Sequence, residues 1–105
     1  MRSATPDSGN TPVCVVVRLP ELGRYEAHQP GDDRVMGWLN YRIEGAVMVI
    51  SSTTTVPEFR GRGVASELTR TALDDAVAQG LSVDALCWYV AEFIERNPRY
   101  YSLQV

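Results

Sequence analysis

The stretch VPEFRGRGVA, at residues 56–65, decides the fold of this chain. A β-rich run from Ala46 to Thr55 precedes it, and an amphipathic helix follows it. Two glycines and two arginines separate the two elements, and Pro57 ends the strand. A strand, a glycine-rich turn and a helix N-terminus in this order form an anion site, because the first N–H groups of a helix have no partner within it.

The glycines and arginines of this loop predict a phosphate or pyrophosphate ligand. Gly61 and Gly63 let a ligand approach the backbone without a Cβ in the way, and both tolerate a positive φ. Arg60 and Arg62 can donate charge-assisted hydrogen bonds to phosphate oxygens. The alternative is a plain turn that carries a solvated basic cluster.

Two better-known phosphate loops are excluded by the residues themselves. The Walker pattern needs Gly-Lys-Ser/Thr at the start of the helix, and this chain has Gly63-Val64-Ala65 there. The dinucleotide fingerprint needs three spaced glycines and an acidic residue at the end of the next strand, and the chain has neither.

Length and charge limit the class of protein. The 105 residues are enough for one domain, and the net charge of −3 argues against a non-specific nucleic-acid binder. No signal-peptide pattern or apolar run of about 20 residues is present, so we expect a soluble cytoplasmic protein. Cys14 and Cys87 lack CxxC spacing and His28 is the single histidine, so we expect neither a disulfide nor a metal site.

The chain divides into a tail and one domain. Residues 1–12 have the Ser/Thr/Pro/Gly/Asn composition of a disordered tail, and residues 13–105 form the domain. Hydrophobic patterning predicts strands at residues 13–17, 24–28, 34–44, 46–55 and 82–87, and helices at residues 63–79 and 89–96. Gly37 interrupts the third strand, where we expect a bulge or a close backbone approach.

The order of these elements predicts an α+β fold. Antiparallel strands come first, and one right-handed β-α-β crossover then places strand 82–87 parallel to strand 46–55. The sheet is therefore mixed and mainly antiparallel, with two helices. The first helix is expected to turn one face inward, through Ala65, Leu68, Ala72, Ala76 and Val77. The second is expected to do so through Val90, Phe93 and Ile94.

With this order of elements, the segment Arg60-Gly61-Arg62-Gly63-Val64-Ala65 resembles the acyl-CoA loop of the GNAT superfamily of N-acetyltransferases, Gln/Arg-x-x-Gly-x-Gly/Ala. A second segment, Leu86-Cys87-Trp88-Tyr89-Val90 followed by Glu95-Arg96-Asn97-Pro98, is similar to the minimal GNAT-like family of about this length. The resemblance covers roughly residues 24–103. Members of that small family lack the two early helices and the final strands of larger acetyltransferases.

The resemblance implies a cofactor, acetyl-CoA, and places it on named residues. The pyrophosphate would lie on the backbone of Arg60, Gly61, Arg62, Gly63, Val64 and Ala65. The thioester would lie where strands 46–55 and 82–87 separate, with its carbonyl polarised by an N–H near Thr55 or Val56. Asn97 would either bond CoA or cap the helix before it.

Two residues are candidates for a chemical role by the same resemblance. Cys87 matches the cysteine suspected of catalysis in the minimal family, where it would accept the acyl group, protonate the leaving thiolate or pack beside it. Its alternative role is that of a small buried hydrophobe. Tyr100 and Tyr101 lie where larger acetyltransferases often have a tyrosine that protonates the thiolate, and core packing is the alternative for them.

One departure from the family leaves the function open. Relatives commonly read His-Thr-x-Val-Pro before the loop, whereas this chain has Thr53-Thr54-Thr55-Val56-Pro57 and no histidine there. An imidazole can act as a general base, and Thr cannot replace it. The first hypothesis is an N-acetyltransferase that acts on an unidentified amine. The alternatives are a non-catalytic acyl-CoA-binding module and a plain protein-interaction domain.

Overall fold

The computed structural model describes residues 12–105 and has the element order that the sequence predicts. Its elements are β1 (Val15–Leu19), β2 (Arg24–His28), β3 (Val35–Glu44), β4 (Val47–Thr55), α1 (Val64–Gln79), β5 (Ser82–Ala85) and α2 (Trp88–Arg96). Short 3-10 turns lie at Pro20–Leu22, Pro57–Phe59 and Pro98–Leu103. The predicted tail at residues 1–12 lies, apart from Pro12, outside the described residues.

The five strands form one sheet in the order β1-β2-β3-β4-β5. The first three pairings are antiparallel, and β4 and β5 are parallel because α1 carries the chain across the sheet between them. The predicted α+β fold, with a mainly antiparallel sheet and one β-α-β unit, is confirmed. Within residues 12–105 no helix combines the length and apolar character needed to cross a membrane.

One hydrophobic core joins the sheet to both helices. On β2, Tyr25 and Ala27 are buried in this core and alternate with polar residues, as the period of a strand requires. The other core residues are Cys14, Met36, Leu39, Met48, Ile50, Phe59, Val64, Leu68, Ala72, Leu73, Ala76, Val83, Val90, Ile94, Tyr100 and Leu103. The sheet face that carries Tyr25 is therefore the face against which the helices pack.

Three predicted strand boundaries are wrong by two residues, and one of them is the end of the first strand, which lies at Leu19 and not at residue 17. The first strand begins at Val15 and not at Val13, which is 42% exposed and precedes the first pairing with β2. The last strand ends at Ala85 and not at Cys87. The N–H groups of Leu86 and Cys87 both donate to the carbonyl of Ile50, at 3.0 and 3.3 Å, so the chain leaves the ladder there.

The buried face of α1 differs in part from the predicted one. Val64, Leu68, Ala72 and Ala76 form the buried stripe at four-residue steps, together with Thr69 and Leu73. Val77, predicted to point inward, is 56% exposed, because it lies about 100° around the helix from Ala76. On α2, Val90 and Ile94 are buried as expected, and Phe93 packs half-buried against the core.

The expectation for Gly37 is confirmed. The register between β2 and β3 shifts beside it, since Ala27 pairs with Gly37 and His28 pairs with Val35. A Cβ added to Gly37 would also lie 2.6 Å from the carbonyl oxygen of Thr54. Both a bulge and a close backbone approach therefore occur at this glycine.

Candidate functional site

The strands β4 and β5 separate in the middle of β4. They are paired only from Val47 to Ile50, and the C-terminal half of β4 has no β5 partner. The separation coincides with an irregularity, because Tyr41 pairs with Ile50 and Asn40 with Ser52, which leaves Ser51 as an extra residue. A bulge of this kind bends the strand and increases its twist, so β4 diverges from β5 beyond Ile50.

Backbone groups of β4 face the opening that results. The N–H of Val56 donates to the carbonyl of Met36 at 2.8 Å and is therefore committed to β3. Because consecutive N–H groups along a strand point to opposite edges, the N–H of Thr55 points to the edge that β5 has left. Of the two predicted polarising groups, the Thr55 N–H points into the opening, and the Val56 N–H is bonded to β3.

A cavity of 320 Å³ fills this opening. We call it the cleft. Three consecutive threonines of β4 line it, together with the loop Arg60–Ala65, which we call the phosphate loop, and the start of α2. The lining residues are Thr53, Thr54, Thr55, Arg60, Ala65, Cys87, Trp88 and Tyr89. Residues from both predicted motifs therefore meet in one cavity.

The phosphate loop, Arg60–Ala65, ends at the N-terminus of α1. Gly61 and Gly63 have φ of 80° and 84°, in the left-handed region that favours glycine. A Cβ at either position would meet no atom within 4 Å, so the space in front of the backbone is open. Gly63 is the N-cap, and no side chain within residues 12–105 caps the first turn of α1, so its N–H groups can donate to a ligand.

The two loop arginines extend in different directions. Arg60 lines the cleft, and the guanidinium of Arg62 lies 5.4 Å from the ring centroid of the buried Phe59. Within residues 12–105 neither guanidinium forms an ion pair with a carboxylate. Their charge is therefore not neutralised by the described part of the chain.

Cys87 lies at the wall of the cleft as the N-cap of α2. Its thiol donates to the hydroxyl of Thr53, with 3.7 Å between Sγ and Oγ1. Cys87 is half-buried, whereas Cys14 belongs to the core, where burial raises the pKa of its thiol. Of the two cysteines, the structure therefore places Cys87 at the cleft wall and Cys14 in the core.

The structure places Tyr100 away from the cleft. Its side chain is buried in the core, and its hydroxyl donates to Asp74 on α1 at 2.6 Å. Burial and the hydrogen bond to Asp74 raise the pKa of the Tyr100 hydroxyl. The predicted catalytic role is therefore not supported, since the hydroxyl is bound to a carboxylate and does not line the cleft. Tyr101 is exposed, and its hydroxyl donates to the carbonyl of Glu95.

Asn97 closes the end of α2. Its side-chain amide donates to the carbonyl of Phe93 at 2.7 Å, and its backbone N–H donates to the carbonyl of Ile94. These bonds satisfy carbonyls that the last turn leaves without a partner. Of the two predicted roles for Asn97, capping is the one that the geometry shows.

Among residues 12–105, those that line the cleft include no carboxylate and no imidazole. His28, the single histidine of the sequence, is on β2, where its ring lies 3.0 Å from a carboxylate oxygen of Glu26. Both alternate along the strand with the core residues Tyr25 and Ala27, so they project from the opposite face of the sheet. In the part of the chain that the structure describes, no other base at the cleft wall therefore replaces the histidine that is missing from residues 53–55.

Sequence reasoning did not identify several residues of the site. Trp88, which is 74% exposed, and Tyr89 line the cleft at the start of α2. Thr53 accepts the hydrogen bond of Cys87, and Phe59 is buried beneath the phosphate loop. The change from apolar to polar residues along β4 is a signal that could have identified the threonines, but no pattern in the sequence distinguishes Phe59 from an ordinary core residue.

A second and larger cavity lies away from both motifs. It has a volume of 460 Å³ and lies between the β2–β3 sheet surface and the end of α1, with Tyr25, Tyr41 and Gln79 in its wall. Tyr25 donates there to Asp75 at 2.8 Å, and Arg18 binds the same carboxylate through two nitrogens. None of the predicted site residues lines it, so the smaller cleft is the candidate site.

Comparison with known proteins agrees with this geometry. A family model described as GCN5-related N-acetyl-transferase matches residues 24–103. Protein NATD1 of Bos taurus is 39% identical over 61 residues, which are 57% of this chain and 54% of the relative. Protein NATD1 of Homo sapiens is 38% identical over 61 residues, which are also 57% of this chain and 54% of the relative. The chain spans about half the length of the curated relatives it matches.

A solved structure shares the fold over nearly the whole chain. The solution structure of a GCN5-like protein from Staphylococcus aureus superposes with a TM-score of 0.68 at 16% identity. The superposition covers 90% of this chain and 91% of that one. At this identity the likeness concerns the fold alone.

Proposed function

Because the chain belongs to the GCN5-related N-acetyl-transferase family, we propose that it transfers the acetyl group of acetyl-CoA to an amine. The observation that carries this proposal is that the phosphate loop and the opening between β4 and β5 border one cleft. A long thioester that carries phosphate groups needs an anion site for its phosphates and, next to it, an opening for its thioester, and the cleft combines the two.

The residues of the loop fit the diphosphate of CoA. Open space lies in front of Gly61 and Gly63, so a diphosphate can reach the backbone N–H groups. The dipole of α1 favours negative charge at this position. Arg60 and Arg62 supply positive charge that no described carboxylate neutralises. Shape, donors and charge all suit this group.

The cleft wall carries hydrogen-bond donors for the thioester atoms on which negative charge develops during acetyl transfer. Acetyl-CoA supplies an acetyl group that is activated as a thioester. The N–H of Thr55 points into the opening and can donate to the thioester oxygen, which becomes more negative during attack. The N-terminus of α2 and the Cys87 thiol border the same cleft and could stabilise the departing sulfur, because the dipole of a helix favours negative charge at its N-terminus.

In this proposal the amine loses its proton to water, since the described residues that line the cleft include no carboxylate or imidazole. Only the neutral fraction of the acceptor then reacts, and the chain's residues position the two partners without acting as a general base. The rate is expected to rise with pH until it levels near the pKa of the acceptor.

A second candidate is a non-catalytic acyl-CoA-binding module, which is favoured because the described cleft residues include no base. A cleft without a base is sufficient to bind the ligand, and binding needs only the loop and the opening. Transfer of labelled acetyl to an amine distinguishes the two candidates. Labelled product above the non-enzymatic background identifies the transferase, and binding without product identifies the module.

The first experiment is calorimetric titration of acetyl-CoA and CoA into the wild type and into Gly63→Val. The valine side chain occupies the space through which the diphosphate reaches the backbone. A φ of 84° also strains any residue with a Cβ, by about 1–2 kcal/mol, so a control that also places a valine in the left-handed region is needed. Gly45→Val serves, because Gly45 has φ of 59°, open surroundings and a position in the β3–β4 turn.

We expect Gly63→Val to weaken CoA binding at least tenfold and Gly45→Val to leave it unchanged, while both variants lose similar thermal stability. Equal binding by all three proteins would show that CoA does not use the loop. Failure of the wild type to bind at millimolar CoA would overturn both the transferase and the binding module.

A further inference from the structure

Arg34, in the turn between β2 and β3, contacts the two residues that lead into the phosphate loop. Its Nη1 donates to a carboxylate oxygen of Glu58 at 3.2 Å, across 24 positions of the sequence. Its guanidinium carbon lies 5.3 Å from the ring centroid of Phe59. Glu58 and Phe59 directly precede Arg60, so Arg34 touches the two residues that lead into the loop.

The turn itself holds the guanidinium of Arg34. Nη2 donates to the side-chain oxygen of Gln29 at 2.9 Å, and Nε donates to Asp32 at 3.3 Å. The backbone N–H of Arg34 also donates to Asp32 at 3.1 Å, and its carbonyl accepts from Gln29 at 2.7 Å. Each guanidinium nitrogen thus has a partner. The hydrogen bonds to Gln29 and Asp32 orient the planar group so that its third nitrogen donates to Glu58.

Phe59 lies between Arg34 and Arg62, a residue of the phosphate loop. Its ring is 3% exposed and is approached by two guanidinium groups, that of Arg34 and that of Arg62. A cation near an aromatic face is attracted by the ring quadrupole, so both arginines prefer one ring position. The orientation of Arg62, a residue of the phosphate loop, is therefore coupled to Arg34.

We infer that Arg34 is a positioning residue for acetyl-CoA binding, acting on the phosphate loop through Glu58 and Phe59. The inference rests on the proposed function for its ligand, but its effect on the free protein is independent of any ligand. Arg34 fixes the entry of the loop, so the N–H groups of Gly61–Ala65 and the Arg62 charge are in place before the diphosphate arrives.

A general structural role would have a different signature. The side chains of Arg34 and Glu58 are 56% and 61% exposed, and an ion pair this exposed adds little to global stability. Arg34→Ala is therefore expected to change the order of the loop while leaving the unfolding temperature nearly unchanged. A purely structural residue would lower that temperature and loosen the whole domain.

The test begins with amide hydrogen exchange in the free protein. The N–H groups of Phe59 and Arg60 donate within the turn before the loop, to Val56 at 2.9 Å and to Pro57 at 3.2 Å. We expect both to exchange about tenfold faster in Arg34→Ala, because local opening becomes easier. Arg42→Ala is the matched control, since Arg42 is also 56% exposed and its carboxylate partner is Glu44, on β3 itself.

Titration of CoA completes the test. We expect Arg34→Ala to weaken CoA binding about three- to tenfold, Arg42→Ala to leave it unchanged, and Arg34→Lys to recover only part of the loss. Lysine can pair with Glu58 but cannot reproduce the planar fork. Unchanged exchange at Phe59 and Arg60 in Arg34→Ala overturns the positioning role, as does unchanged CoA affinity. A wild type that binds no CoA overturns the proposed function instead, and the exchange result then stands by itself.

Discussion

Gly37 makes room for Val64. A Cβ on Gly37 would lie 3.2 Å from Cγ1 of Val64, the first residue of α1, and 2.6 Å from the carbonyl oxygen of Thr54. The absent side chain therefore sets how closely the N-terminus of α1 approaches β3. Because the phosphate loop ends at this N-terminus, a glycine on the third strand determines where the loop sits above the sheet.

Gly37→Ala is expected to lower the free energy of unfolding by about 1–3 kcal/mol, as overpacking in a core does. It should also weaken CoA binding, because the start of α1 must shift to accept the methyl group. Chemical denaturation and calorimetric titration measure the two effects. Val64→Ala in the same chain removes the 3.2 Å contact but not the 2.6 Å contact with Thr54, so only partial recovery is expected. Full recovery would show that the backbone contact is harmless.

Much of this arrangement could be predicted from local sequence. The order of strands and helices follows from hydrophobic periodicity, and the phosphate loop follows from glycines before an amphipathic helix. The close approach at Gly37 was also expected, because a glycine inside a strand leaves no side chain to pack. These features depend on neighbours along the chain, and such neighbours are visible in the sequence.

Other features depend on pairings between distant residues. The bulge at Ser51 arises from the register between β3 and β4, which no local pattern specifies. The hydrogen bond from Tyr100 to Asp74 spans 26 positions, and without it Tyr100 resembles a catalytic tyrosine. The hydrogen bond from the Val56 N–H to the carbonyl of Met36 likewise depends on the register of β3 against β4.

Cys87→Ala distinguishes a covalent from a direct mechanism. The proposed mechanism has the amine attack the thioester, so we expect the variant to keep transfer activity within about tenfold of the wild type. Mass spectrometry after incubation with acetyl-CoA alone should show no acetyl group on the wild-type protein. Thr53→Val, which removes the acceptor of the Cys87 hydrogen bond, is the control for packing at this wall. A stable acetyl adduct on Cys87, together with an inactive alanine variant, would instead establish the cysteine as nucleophile.

Tyr100→Phe tests whether the tyrosine has a chemical role. Its hydroxyl donates to Asp74 and does not line the cleft, so we expect unchanged transfer and a free energy of unfolding lower by about 1 kcal/mol. Asp74→Asn should produce a similar loss, and the double variant should lose less than the sum because the two residues share one hydrogen bond. A loss of transfer in a Tyr100→Phe protein of wild-type stability would contradict the structural role.

The ion pair between Arg18 and Asp75 gives stability a dependence on acid pH. The Arg18 hydrogen bond, followed by the hydrogen bond from Tyr25, lowers the pKa of Asp75, although burial opposes the shift. A carboxyl whose pKa is lower in the folded state stabilises the fold above its unfolded pKa of about 3.9, and this contribution is lost as pH falls through the folded-state pKa. We therefore expect Asp75→Asn to cost about 1–2 kcal/mol at pH 7, and the difference from wild type to shrink below about pH 4. Urea denaturation at a series of pH values measures this difference. Glu95→Gln is the control for the loss of one negative charge, because Glu95 is exposed and its carboxylate forms no ion pair within residues 12–105. A difference that stayed constant down to pH 2 would show that Asp75 does not titrate with a lowered pKa.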